Sequence, residues 1–274
     1  MRKQGAYHVL TLAVGPIAAR VRPGHFIAVA VGGEDSSMLL RRAFSIYSAD
    51  PSGPGTLQIV FAEAGRGTRW MTGVRRGDQL NVIAPLGQPF RLPNEPVTCA
   101  LVGGGYGAAP LFALADQLRA RGCRVDMVLG AATADRVFGE LEGRRGSASL
   151  TVTTDDGSAG IPGRVTDALG PLMDAQGTDV VYACGPMPML SAVAAMAAER
   201  GAHSQCAVEE AMACGVGVCM TCVLPVIGKD GKTRMVRSCT DGPVFFGDTV
   251  RWSEVGTVPA DAVGAPAATP GGEH

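Results

Sequence analysis

The segment CGVGVCMTC, Cys214 to Cys222, and the later Cys239 constrain this chain more than anything else in it. The spacing is C-x4-C-x2-C with a fourth cysteine after sixteen intervening residues, which is the spacing of a [2Fe–2S] centre. Two irons bridged by sulfides need four thiolates, here three on one loop and one on a returning strand. Gly215 and Gly217 let the backbone wrap the cluster and aim N–H groups at its sulfurs. Structural zinc is the rival ligand, but four-cysteine zinc sites usually show two short cysteine knuckles, and Cys239 has no cysteine beside it. The expected metal ligands are therefore Cys214, Cys219, Cys222 and Cys239. Cys99, Cys123, Cys184 and Cys206 stand alone, so the pattern reads as metal ligation in a reducing cytoplasm and not as a secreted disulfide framework.

A chain of 274 residues can bury a sizeable core and has room for two domains, or one with an appendage. With 24 basic and 25 acidic residues it has no cationic excess that would favour nucleic acid or an anionic membrane. Arg2 and Lys3 precede an apolar stretch, Tyr7 to Ala19, that could pass for a signal peptide. Tyr7, His8, Thr11 and Pro16 interrupt it, however, and Val9, Thr11 and Val14 suit a first strand. No run reaches the roughly 18–20 apolar residues of a membrane span.

From residue 6 to about 95, short β-branched runs alternate with Gly and Pro: His8–Val14, His25–Val31, Ala43–Tyr47, Thr56–Ala62 and Gln79–Ile83. This spacing predicts a small antiparallel barrel. Between about 98 and 205 the texture becomes strand then helix, with helices expected over Ala109–Arg121, near Val165 and over Met187–Arg200, which predicts a parallel Rossmann-like sheet. The segment 206–252 holds too little apolar sequence for a core without a metal centre. The residues after it, rich in Ala, Gly and Pro, are expected to be disordered. The expected fold class is thus β plus α/β, with units 1–95, 96–205 and 206–252 and a tail 253–274.

Three further motifs carry binding chemistry. VGGGYGAAP, Val102 to Pro110, joins a strand to a helix, and Gly103, Gly104, Gly105 and Gly107 would let a dinucleotide diphosphate approach the helix N-terminus. A glycine turn needed only for strand–helix packing would look the same. Arg42-Ala43-Phe44-Ser45 precedes Gly65-Arg66-Gly67-Thr68; an arginine, a hydroxyl and the N–H groups of a glycine turn could hold a second diphosphate. Cys184-Gly185-Pro186-Met187 ends another strand, where a small thiol and a Gly-Pro turn suit a nicotinamide ring, though a buried core cysteine reads the same way.

Taken in order, RAFS, GRGT, LGQPF, GGGYGAAP, TDDGSAG, YACGPMPM, EEAMACGVGVCMTC and SCTDGPVF resemble the electron-transfer subunits of NAD-dependent dihydroorotate dehydrogenase B, within the ferredoxin–NADP reductase superfamily. The resemblance spans about residues 7–252. It implies FAD on Arg42 to Ser45, Gly67 and Thr68, with Val60, Phe61 and Ala62 along the flavin, and a nicotinamide cofactor on the Gly103–Gly107 turn and the Cys184–Met187 corner. It also implies a cytoplasmic partner subunit that carries FMN and oxidises dihydroorotate in pyrimidine biosynthesis, usually two of each subunit. Electrons would pass from that FMN through the cluster and FAD to NAD. No acid–base catalytic residue is expected here. Ala132 stands where the family often has a basic residue, which leaves NAD against NADP open. Subunits of ferredoxin-NADP, hydrogenase or sulfide dehydrogenase type are the alternative class, and a flavin-free metal-binding regulatory module is the non-enzyme one.

Overall fold

The computed structural model describes residues 1–33 and 36–265. Strands β1 (Arg2–Gln4), β2 (Tyr7–Ala13), β3 (Phe26–Val29), β4 (Arg42–Asp50), β5 (Thr56–Phe61) and β6 (Val82–Leu86) form an antiparallel sheet in the order β1-β2-β5-β4-β3-β6, with helix α1 (Arg66–Thr72) against it. Register slips between Ile46 and Ser48 and between Phe26 and Ala28 bend the sheet. Its inward residues, among them Leu10, Ile27, Val29, Ile46, Leu57 and Ile59, then share one core with Met71 of α1. The last strand begins at Val82, later than expected. The ladder partner Val29 pairs with Val82, while Asp78 accepts the Arg75 N–H at 2.8 Å in the turn before it. Pro85 is tolerated because β6 is an edge strand.

His25, at the mouth of β3, is 7% exposed, and its Nδ1 accepts the Arg22 N–H at 3.0 Å. Burial, then the Arg22 charge, pushes its pKa down to about 4. Below the unfolded value of about 6.5 the unfolded chain binds the extra proton, so stability falls as pH drops from about 6.5 towards 4, by about 3 kcal/mol. Urea midpoints at pH 7 and pH 4.5 should show this loss shrink in His25→Gln; an equal loss in both proteins would refute it.

The second sheet contains β7 (Thr98–Gly104), β8 (Arg124–Ala131), β9 (Ser149–Thr154), β10 (Ile161–Pro162), β11 (Val180–Cys184) and β12 (His203–Ala207), all parallel. Helices α2 (Ala109–Ala120), α3 (Glu140–Gly146), α4 (Val165–Gln176) and α5 (Met187–Glu199) connect them. Strand β7 is an apolar run buried on both faces, as parallel strands covered by helices are. Helix α2 buries Leu111, Leu114, Ala115 and Leu118, a stripe at helical spacing, and stops before Gly122 at φ +80°. The order β10-β9-β8-β7-β11-β12 places a topological switch between β7 and β11, where ligands collect at the carboxyl edge of such sheets.

Barrel and α/β sheet share a core: Tyr7, Val9, Tyr47 and Val60 pack with Leu111, Leu114 and Leu118. Tyr7 donates its hydroxyl to the Arg136 carbonyl at 2.8 Å, and the Ala6 N–H donates to the Asp135 carbonyl at 3.2 Å. One rigid seam therefore fixes what the barrel holds relative to the sheet edge.

The cysteine-rich arm forms a hairpin, β13 (Val223–Ile227) with β14 (Thr233–Arg237), and then β15 (Val244–Phe246). β15 adds antiparallel to β12, pairing Cys206 with Phe245, so the arm extends the second sheet instead of standing apart. The expected unstructured tail differs as well. Asp261 takes a salt bridge from Arg251, and Ala262 bridges to Thr233, which holds residues 253–265 to the hairpin. The remainder of that expected tail, 266–274, lies outside the described residues. Among the described residues no helix is long and apolar enough to cross a membrane.

Candidate functional site

A single cleft of about 690 Å³ runs along the seam between barrel and sheet. On the barrel side it is lined by Ala43, Phe44 and Ser45 of β4, by Val60, Phe61 and Ala62 at the end of β5, and by Thr68 of α1. On the sheet side Gly104, Gly105, Gly107, Cys184, Gly185 and Pro186 line it. Two sets of residues, one between positions 43 and 68 and the other between 104 and 186, thus face one space.

Four expected residues stand just outside the lining. Arg42 lies over Gly67, whose absent Cβ would fall 3.0 Å from the Arg42 Nε, and its Nη1 donates to the Leu40 carbonyl at 2.7 Å. Gly67 is therefore the floor on which the arginine rests. Gly103 is buried, and a Cβ there would meet Ala108 at 2.6 Å, so its smallness serves strand–helix packing. Met187 packs against the core beside α5, and Met189 borders the cleft in its place. The Thr68 hydroxyl accepts the N–H groups of Ala64 and Gly65, at 2.9 and 3.0 Å, and so orders the turn before α1.

The glycine turn and the Cys184 corner touch. A Cβ on Gly104 would meet Met189 and Pro186 at 2.8 Å, and one on Gly107 would meet the Cys184 carbonyl at 2.8 Å. These glycines permit close packing, and the packing brings the switch-point strand ends to the cleft. Burial, then the charge of Glu209, pushes the Cys184 thiol up to about 12, so it is a neutral thiol at physiological pH. The same two causes push Tyr106 up to about 12, and its ring meets Tyr7 edge-on at 5.5 Å.

Tyr7, Phe26, Tyr106, Glu209 and Met212 also line the cleft, and none was expected there. Tyr106 lies inside the glycine motif and Glu209 and Met212 inside EEAMACG, segments that the sequence motifs single out. No local pattern marks Phe26, a strand residue that also packs on Cys222 and Cys239.

The four cysteines gather at the barrel end of this cleft. Gly215 (φ +73°), Gly217 (φ +84°) and Met220 (φ +58°) bend their loop; the left-handed conformation costs roughly 1–2 kcal/mol at the methionine. Arg237 donates to the Gly217 carbonyl at 2.9 Å, tying loop to hairpin. The thiols of Cys214 and Cys219 adjoin, and those of Cys222 and Cys239 adjoin. Among the described residues no three such groups close on the position of a single ion. Two thiol pairs are what a two-iron cluster takes, a pair to each iron.

The sulfurs have donors as well. The Val216 N–H reaches the Cys214 Sγ at 3.4 Å, and the Thr221 hydroxyl reaches the Cys219 Sγ at 3.2 Å. The Val216 N–H is the main reason the Cys214 thiol is brought down to about 6, ready to bind metal as thiolate. Burial, and then the neighbouring Cys222, pushes Cys239 up to about 12, a cost that metal coordination reverses by deprotonating the thiol outright. This donor set fits a [2Fe–2S] cluster. The cleft, with its barrel strands and switch-point edge, fits FAD and a nicotinamide cofactor.

An antiparallel barrel sealed to a parallel switch-point sheet, with a four-cysteine arm at their seam, defines a reductase of the ferredoxin–NADP reductase class bearing an iron–sulfur extension. The family model for the iron–sulfur cluster binding domain of dihydroorotate dehydrogenase B matches residues 209–251. The chain is 41% identical over 240 residues to the dihydroorotate dehydrogenase B (NAD(+)) electron transfer subunit of Geobacillus thermodenitrificans (strain NG80-2), covering 86% of this chain and 89% of that one. It is 36% identical to the subunit of the same description from Desulforamulus reducens (strain ATCC BAA-1160 / DSM 100696 / MI-1), again over 86% and 89%. Among solved structures, one of an NADH-dependent reduced ferredoxin–NADP oxidoreductase, studied for flavin-based electron bifurcation, superposes with a TM-score of 0.81 at 29% identity, covering 93% of this chain and 88% of that one. The ferredoxin reductase of carbazole 1,9a-dioxygenase shares the fold, with a TM-score of 0.60 at 23% identity over 73% of this chain and 62% of that one. The chain belongs to the family of dihydroorotate dehydrogenase B electron transfer subunits.

Proposed function

We propose that this chain relays electrons between an iron–sulfur cluster on Cys214, Cys219, Cys222 and Cys239 and a nicotinamide cofactor, through FAD in the cleft, as the electron-transfer half of a dihydroorotate dehydrogenase. The observation that carries the reading is Phe26: its side chain packs on Cys222 and Cys239 and also lines the cleft, with Met212 beside it doing the same. One layer of side chains therefore lies between the cluster ligands and the flavin side. When bound, FAD supplies the exchange between two-electron hydride chemistry and single electrons, and the cluster supplies one-electron transfer.

The residues of this chain bind and orient. Ala43 to Ser45 and Val60 to Ala62 would hold the flavin; Arg42, on its Gly67 floor, and Thr68 would hold the diphosphate. The glycine turn and the Cys184–Pro186 corner would hold the nicotinamide cofactor, with the neutral Cys184 thiol adding no charge beneath it. A reducing cytoplasm and the units 1–95, 96–205 and 206–252 complete the reading, with the proviso that β15 belongs to the second sheet.

The partner we propose is an FMN-bearing catalytic subunit, two of each in the assembly. It would meet the loop around the exposed Cys219, where Val216, Val218 and Met220 are 43%, 78% and 52% exposed; an apolar rim of this kind suits a protein contact. Native mass spectrometry of the co-expressed subunits tests the stoichiometry.

Replacing Arg42 with Ala should raise the FAD dissociation constant by about 10- to 100-fold, since charge-assisted bonds contribute about 1.5–3 kcal/mol. Fluorescence titration of the apoprotein measures it, and an unchanged constant would remove Arg42 from the site. The relay itself is tested by anaerobic NADH titration: flavin bleaching must be followed by the paramagnetic signal of the reduced cluster.

A further inference from the structure

Ser238 precedes a cluster ligand and is fully buried, yet its hydroxyl has no hydrogen-bond partner. A buried hydroxyl without a partner is uncommon and calls for a ligand, a water or an ion. Hairpin register shows where this one lies. Val223 pairs with Arg237 and Leu224 with Val236, and the Ser238 N–H donates to the Cys222 carbonyl at 2.8 Å, so the ladder continues one step to set Ser238 opposite Cys222. Directly opposed residues of an antiparallel pair project to the same face, with Cβ atoms about 4.5–5.5 Å apart. Ser238 is thus flanked by Cys222 across the hairpin and by Cys239 in sequence, the two ligands whose thiols adjoin.

We propose that the Ser238 hydroxyl donates a hydrogen bond to a sulfur of the two-iron cluster and thereby raises the potential at which it accepts an electron. Reduction adds negative charge that spreads onto the sulfurs, and a donor stabilises the reduced state more than the oxidised one. In a dry site beside a buried ligand pair the effect is not screened by water. The inference rests on the cluster reading above. That reading fails if the wild-type protein binds no iron and sulfide; this inference fails on the comparisons that follow, made in protein that binds both.

Ser238→Ala and Ser238→Thr are prepared with their clusters, and iron and acid-labile sulfide are measured before a redox titration followed by electron paramagnetic resonance. In Ser238→Ala the reduced-to-oxidised ratio at a fixed potential should fall about tenfold, a downward shift of about 59 mV for one electron, while Ser238→Thr stays near wild type. Pulsed measurements in D2O should show an exchangeable proton coupled to the reduced cluster in wild type and Ser238→Thr and absent from Ser238→Ala. Loss of the cluster from Ser238→Ala alone would also support the contact. An unchanged potential and coupling in Ser238→Ala, equal shifts in both variants, or loss of the cluster from both would overturn it.

Discussion

Cys219→Ser is expected to yield a protein that keeps its flavin and loses its relay. Cys219 is the exposed member of the first thiol pair and takes its hydrogen bond from Thr221. A serine there offers a poorer ligand, so bound iron and sulfide should drop to a small fraction of wild type. Metal binding and local folding are coupled, so amide exchange should rise in the 214–222 loop. The pairing of β15 with β12 should persist, because Phe245 and Cys206 are held in the sheet core. The proposed FAD site shares none of these residues, so FAD content and the stopped-flow rate of its reduction by NADH should stay within about twofold of wild type. Dihydroorotate-driven NAD reduction in the complex with the catalytic subunit should fall by two or more orders of magnitude, because the partner's electrons have lost their carrier. Wild-type turnover in a complex shown to lack the cluster would sink the proposed electron path, even with the family assignment intact.

The opposite separation is expected of Gly107→Val. A Cβ at this position would stand 2.8 Å from both the Cys184 carbonyl oxygen and the Gly185 Cα, backbone atoms that cannot rotate aside. The glycine turn and the Cys184 corner must then part, and misplacing bound groups by about an ångström can cost roughly 100-fold in rate. Flavin reduction by NADH should slow by at least about 100-fold, while dithionite still reduces FAD and the cluster content is unchanged. Gly107→Ala, with the same Cβ and no branches, should show a smaller loss. If Gly107→Val is reduced by NADH at the wild-type rate and melts normally, the nicotinamide cofactor does not use this crevice.

Much of the candidate site is legible in the chain, because the motifs that make it up are set by local spacing. Four cysteines at cluster intervals, a glycine turn between strand and helix, and an arginine preceding Ala-Phe-Ser on a strand are each defined within a few residues. Helices α2 and α5 start where expected and stop within a residue of it, since apolar periodicity and the turn after Leu118 are local too. The late start of β6 and the docking of residues 253–265 were not legible, because ladder partners and an ion pair with Arg251 decide them.

What the sequence determined by itself was the set of parts and their order: barrel, switch-point sheet, cysteine arm. Only the tertiary structure decided how they meet. Phe26 reaches Cys239 across more than two hundred residues, β15 returns to complete the sheet it left at β12, and Ser238 faces Cys222 because of hairpin register. Side-chain packing between distant segments has no periodicity of its own, so it leaves no pattern in a single chain until the backbone has brought those segments together.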